Sequence, residues 1–208
     1  MNPIVSTEAR KGRKYEQVQE GALSVFLRDG FEGASVDEIA RVAGVSKATL
    51  YSYFPDKRMM FAEVFSAECH RHANEAEAEL GPDLDAPAVL TLTARKIIDF
   101  TLSDFGRRLF RLMVAEVARF PELARLFYIN GPGKLRQRLI ARLTALCERG
   151  ELQIEDFELA TDQFVQLSKA LIQDRVLLGL VEDIRSEEIE DAITGAVETF
   201  LARYGTGR

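Results

Sequence analysis

Tryptophan is absent from the 208 residues, and histidine and cysteine occur only twice each. So small a supply of imidazole and thiol leaves little material for a metal cage or a nucleophilic centre. Cys69 and Cys147 are too few and too far apart for a disulfide framework. His70 and His72, with Cys69, make Cys-His-Arg-His. Two residues apart on a helix, the imidazoles point about 200° from one another and share no ion without distortion. Neither cysteine has an identifiable base beside it, and no phosphate loop or dinucleotide fingerprint occurs. The expectation is no catalytic residue, no metal and no cofactor, and hence no enzyme. Redox sensing through either cysteine has no support; both behave as small apolar residues.

Long apolar runs are missing too. Nothing approaches the roughly 18 residues of a membrane span. Met1 to Lys14 carries charge without a following apolar stretch, unlike a secretory signal. A soluble cytoplasmic protein with no membrane partner is expected. Strand signals are also lacking, since no period-two alternation bounded by turns is sustained.

What remains is helix after helix. The net charge of −6 is unevenly spread. Residues 1–58 hold nine Lys and Arg against eight Asp and Glu, and the other 150 residues hold eighteen against twenty-five. Acidity therefore sits in the C-terminal part, and the N-terminal part is free to approach phosphates. The cluster Arg10, Lys11, Arg13 and Lys14 precedes the first periodic segment. It is either an arm for a DNA groove or a solvated, flexible terminus.

Val18, Ala22, Val25 and Phe26 give helical spacing over 13–28, with Gly30 as C-cap and Phe31 folding back. Ser35 and Glu38 have the spacing of a capping box, and Ile39, Ala40 and Ala43 form the inner face behind it. Gly44 stops that helix, and Ser46 opens another over 47–54. Pro55-Asp56 then caps a long helix over 57–80. A loop over 81–87 is followed by helical patterns at 88–103, 107–119, 134–149, 158–181 and 187–204, with a short piece opened by Pro121. The fold class is all-α, about nine helices in all: an N-terminal three-helix unit and a C-terminal helical bundle.

Residues 34–54 read ASVDEIARVAGVSKATLYSYF, two short helices joined across Gly44. Glycine takes the left-handed turn of a helix-turn-helix cheaply. Ile39, Val45, Leu50 and Phe54 can clamp the helices, leaving Lys47, Ala48, Thr49, Tyr51, Ser52 and Tyr53 outward. That set is small, hydroxylated and aromatic, and has no acid. Small residues admit close approach to a groove, and hydroxyls and Lys bond phosphates and base edges. The competing reading is a helical hairpin inside a larger bundle, for which a mixed or acidic face would be usual.

The stretch GALSVFLRDGFEGASVDEIARVAGVSKATLYSYFPDK, with MMFAEVF after it, resembles the DNA-binding domain of the TetR family. The resemblance covers residues 13–65. It implies a DNA-binding domain over 13–58 (helix-turn-helix 34–53), a basic arm over 1–12, and a ligand-binding and dimerisation domain over 59–208. It places DNA contacts on Ser35, Ser46, Lys47, Ala48, Thr49, Tyr51, Ser52, Tyr53 and Lys57. Tyr51, Tyr53 and Thr49 would bond phosphates, Lys47 and Ser52 would reach base edges, and Lys57 would present the start of the long helix to the backbone. RLFRLMVAEVARFPELARLFY, followed by GPGKLRQRLIARLTALCERGEL, is similar to the AefR-like class of C-terminal domains, associated with efflux and stress genes.

One helix-turn-helix reads few base pairs, so the resemblance implies a homodimer on a palindromic operator in double-stranded DNA. Phe164, Leu167, Leu171 and Leu178, with Ile189, Ile193, Val197 and Phe200, form two apolar stripes. They line either the dimer interface or the domain's own core. Pocket candidates are Phe105, Phe110, Met113, Glu116, Phe120, Phe127, Tyr128 and Gln166; the alternative for each is simple core, or surface in the case of Glu116. The expected function is a one-component repressor released from DNA by a small apolar or amphipathic effector. A TetR-like activator, or a helical ligand-binding protein without a DNA role, are the alternatives.

Overall fold

The structure is a computed structural model, and it describes residues 12–78, 81 and 83–207. The basic arm and the expected end of the long helix at Leu80 fall outside the described residues. Eleven helices occur among those described: α1 Arg13–Gly33, α2 Val36–Ala43, α3 Lys47–Tyr53, α4 Lys57–Ala78, α5 Ala86–Leu102, α6 Asp104–Glu116, α7 Pro121–Asn130, α8 Pro132–Glu148, α9 Phe157–Ser168, α10 Gln173–Leu177 and α11 Ser186–Tyr204. The described residues include no strand, only an isolated bridge between Leu152 and Gly205. None of these helices is long and apolar enough to cross a membrane.

The chain divides into two compact units. One takes the residues up to Glu68 together with Leu112–Asn130; the other takes Cys69–Arg111 and Gly131–Arg208. The division expected at 58/59 follows the motif, whereas the contacts divide α4 at Glu68 and assign the end of α6 to the first unit.

In the first unit, Val18, Ala22, Val25 and Phe26 of α1 are buried, as are Ile39, Leu50 and Phe54 of the two short helices and their flank. An aromatic cluster joins α1 to α4: Phe26 meets Phe61 at 5.0 Å between centroids, and Phe61 meets Phe65 at 4.4 Å. Gly21 sets how closely α1 and α2 approach. A Cβ there would lie 2.8 Å from Ala43 Cβ and 2.9 Å from its backbone.

In the second unit, Val89, Leu90, Ala94 and Ile98 of α5 pack with Leu143 and Leu146 of α8, Phe164 of α9 and Ile193, Val197 and Phe200 of α11. Phe164 and Phe200 meet edge to face at 5.1 Å. Tyr204 donates its hydroxyl to Gln163 Oε1 at 2.6 Å, and Gln153 N donates to Tyr204 O at 2.8 Å, tying down the end of α11.

Several boundaries differ from expectation. Ala86 and Pro87 belong to α5 rather than to the loop, because Asp85 caps Ala88 N at 2.9 Å and proline suits a first helical turn. Likewise, α8 opens at Pro132, ahead of the expected start at Lys134. α6 starts at Asp104 because Ser103 Oγ accepts Gly106 N at 3.0 Å, and it ends at Glu116 rather than Arg119. The single helix expected over 158–181 is two. The buried Ser168 hydroxyl donates back to Phe164 O at 2.8 Å, and the Lys169 and Ala170 amides close tighter bonds to Gln166 O and Leu167 O. Leu171 then turns left-handed at φ +65°, which puts Ile172 and Val176 into the core and Leu171 into solvent.

Candidate nucleic-acid interface

The two short helices are held by local bonds that their sequence encodes. Ser35 Oγ accepts Glu38 N at 3.1 Å, which opens α2. The reciprocal half of the expected capping box is replaced: the Glu38 carboxylate is bound by Arg41 at 2.7 and 2.8 Å and by Arg28 at 3.0 Å. Those hydrogen bonds, Arg41 first, hold its pKa down to about 2. Gly44 takes φ +64° and its amide bonds Ala40 O and Arg41 O, so the chain reverses into Ser46. Ser46 Oγ accepts Thr49 N at 3.1 Å and lies 2.9 Å from Thr49 Oγ1. Leu50, fully buried, fastens α3 from beneath.

Outward from that clamp stand Lys47, Ala48, Tyr51 and Ser52, all exposed, with Tyr51 at 49 %. Thr49 and Tyr53 are half-buried. The Tyr53 ring meets Tyr15 edge to face at 5.4 Å, so its direction is fixed by α1. Tyr15 in turn donates its hydroxyl to Glu63 of α4, and burial pushes its phenol pKa upward. The Ser52 hydroxyl donates to Thr49 O at 2.6 Å.

Two expected contacts have a different setting from the one the sequence suggests. The Lys57 ammonium turns inward, donating to Ala34 O at 3.0 Å and Glu32 O at 3.3 Å and lying 4.7 Å from the Phe31 ring centre. Burial lowers its pKa. The amides of Arg58 and Met59 are already taken by Asp56 Oδ1, both at 2.8 Å. What this helix start offers a phosphate is thus its dipole and the amide of Lys57 itself. The outward face is also not without acid: Asp37 of α2 pairs with Lys47 Nζ at 2.5 Å, and that hydrogen bond raises the Lys47 pKa. No spacing rule would have found this pair, because it bridges two helices.

The remaining expected site residues scatter. Phe164, Ile193, Val197 and Phe200 lie in the protomer's own core, with Leu167 and Ile189 half-buried and Leu171 and Leu178 exposed. A fully buried side chain has no area to give a partner. The eight pocket candidates are divided between the units. Phe105, Phe110 and Gln166 fall in the second, and Met113, Glu116, Phe120, Phe127 and Tyr128 in the first. Phe105 stacks on His72 at 5.5 Å, whereas Phe110 and Tyr128 are exposed. Glu116 and Phe120 both contact Phe31 in the last turn of α1. Among the described residues no three His, Cys, Asp or Glu are grouped to hold a metal ion.

A cap-locked helix-turn-helix in an all-helical chain defines a class of DNA-binding regulator. Residues 19–64 match the model of the bacterial regulatory proteins of the tetR family, and residues 88–206 that of the AefR-like transcriptional repressor C-terminal domain. The chain belongs to the TetR family, one of transcriptional regulators and not of enzymes. A TetR-family regulator of Mesorhizobium loti is 28 % identical, with a TM-score of 0.82 over 95 % of this chain and 100 % of that one. The flavonoid-responsive regulator FrrA is 34 % identical, with a TM-score of 0.78 and the same coverage. The fatty acid metabolism regulator protein of Bacillus subtilis is 26 % identical over 46 % of this chain, a stretch spanning 49 % of that protein.

Proposed function

We propose that this protein is a DNA-binding transcriptional regulator that acts as a repressor: a homodimer on a palindromic operator, released by a small apolar or amphipathic effector. The observation that carries the reading is α3. Its caps fix it at both ends, and it presents Lys47, Ala48, Tyr51 and Ser52 together on one outward face. Small residues admit the major groove, and the Lys and hydroxyl groups suit base edges and phosphates.

A second copy is needed for two half-sites, and the surface for it is the exposed apolar flank of the second unit. Leu171 is 84 % exposed, Leu178 73 % and Leu180 69 %, an unusual exposure for three leucines so close in sequence. The effector class is supported by two relatives, one named flavonoid-responsive and one named for fatty acid metabolism. Flavonoids and acyl compounds are therefore the first molecules to screen.

Selection of duplexes from a random pool tests the reading. The expected product is one inverted repeat, with half-site centres separated by about one helical turn or a multiple of it. A pool that stays random after repeated rounds contradicts it.

A further inference from the structure

Gly30 breaks α1 with φ +75° and ψ 176°. The break interrupts the helical ladder just before Phe31, whose side chain is buried, and the last turn is closed by Ala34 N donating to Gly30 O at 3.2 Å. An amide left without an acceptor in such a place is costly. The acceptor here comes from far along the chain. Phe31 N donates to Glu116 Oε1 at 3.0 Å, across 85 positions.

The bond has company within the same unit. Arg119 pairs with Glu32. The Phe120 ring stands edge to face on Phe31 at 4.8 Å. Lys57 bonds the carbonyls of Glu32 and Ala34 from the other side. Residues 116–120 and Lys57 therefore grip 30–34, the last turn of α1, which runs directly into the cap of α2 at Ser35. Within the turn, Phe31 and Ala34 are buried. Glu32 and Gly33 are exposed, and an open cleft of about 440 Å³ lies along it, lined by Phe31, Glu32, Asp56, Lys57, Arg58 and Phe120. The fit at Gly30 is close: a Cβ there would lie 3.0 Å from the Glu116 carboxylate.

We infer that Glu116 is a positioning residue for operator recognition: its carboxylate fixes the last turn of α1, residues 30–34, and so the angle at which α2 and α3 meet DNA. The inference rests on the regulator reading above. Glu116 touches no base or phosphate in this role; it acts through Phe31.

The test uses the full chain with Glu116→Ala and Glu116→Gln, which retains an oxygen acceptor. Amide exchange around Phe31 is measured on the free protein, and affinity is measured for both the selected operator and a random duplex. Glu116→Ala is expected to lose protection at Phe31 and about tenfold in operator affinity, the weight of one hydrogen bond. Its random-duplex affinity should stay within about twofold, because phosphate contacts are untouched. Glu116→Gln is expected to restore both losses. Should Glu116→Ala fail to fold, Glu116→Asp, which withdraws the carboxylate by one methylene, is predicted to shift both readouts in the same direction. Unchanged protection at Phe31, or operator affinity equal to wild type, overturns the inference. So does an equal loss on operator and random DNA that Gln does not rescue, which is the mark of a purely stabilising bond. A wild-type protein that selects no sequence contradicts the regulator reading instead. The exchange measurement then still decides whether Glu116 holds the last turn of α1.

Discussion

Glu38 shows how one side chain serves the motif without touching DNA. Its carboxylate holds Arg41 of its own helix and Arg28 of α1, which braces α2 against the end of its neighbour. The folded carboxyl lies near 2, below its ordinary 4.5. A lowered pKa means that the brace is complete above about 4.5 and is lost as pH falls through 2. A carboxyl-detected titration should place the Glu38 midpoint well below its ordinary 4.5, and Arg41→Ala should raise it. A midpoint at the ordinary value in the wild type would show that the brace does not form. The half of this arrangement that is local, Glu38 and Arg41 three apart, is visible in the sequence. Its other half, like the Asp37–Lys47 pair and the Glu116–Phe31 bond, joins separate elements and has no periodic signature.

At the scale of elements, what the sequence reveals is what short-range chemistry decides. Ser35, Gly44, Ser46 and Asp56 each act within three or four residues of themselves, and each caps or turns as its type predicts. The division of the 158–181 segment is hidden, because Ser168-Lys169-Ala170-Leu171 contains neither Gly nor Pro. There the core decides: the turn gains buried positions for Ile172 and Val176 at the expense of a left-handed leucine. The approach of α1 to α2 supplies a sharper test. Gly21→Ala would force a methyl to 2.8 Å from Ala43 and should cost about 1–3 kcal/mol in denaturant unfolding. Gly33→Ala meets only Asp29 Cβ at 3.5 Å and should change stability by no more than about 0.5 kcal/mol. Equal effects would mean that the two helices are not so closely apposed.

For the whole molecule, apolar periodicity identifies buried stripes but not what buries them. Phe164, Ile193, Val197 and Phe200 have the spacing of an interface and are the core of their own unit. Leu171 and Leu178, in the same stripe by spacing, are turned out by the break after α9. The paired change Leu171→Asp with Leu178→Asp should therefore shift sedimentation from dimer to monomer with the helical circular dichroism intact. A dimer that persists, or a wild type that is already monomeric, contradicts the proposed surface.

If α3 reads DNA in a cap-fixed frame, the protein binds the intergenic DNA beside its own gene. The measurement is a footprint and an affinity at two salt concentrations, for the wild type and for Tyr51→Phe with Tyr53→Phe. The expected result is a discrete palindromic footprint whose affinity falls as salt rises and falls again when the two hydroxyls are removed. Affinity no greater than for random DNA, there and for every sequence offered by a genome-wide selection, would contradict it.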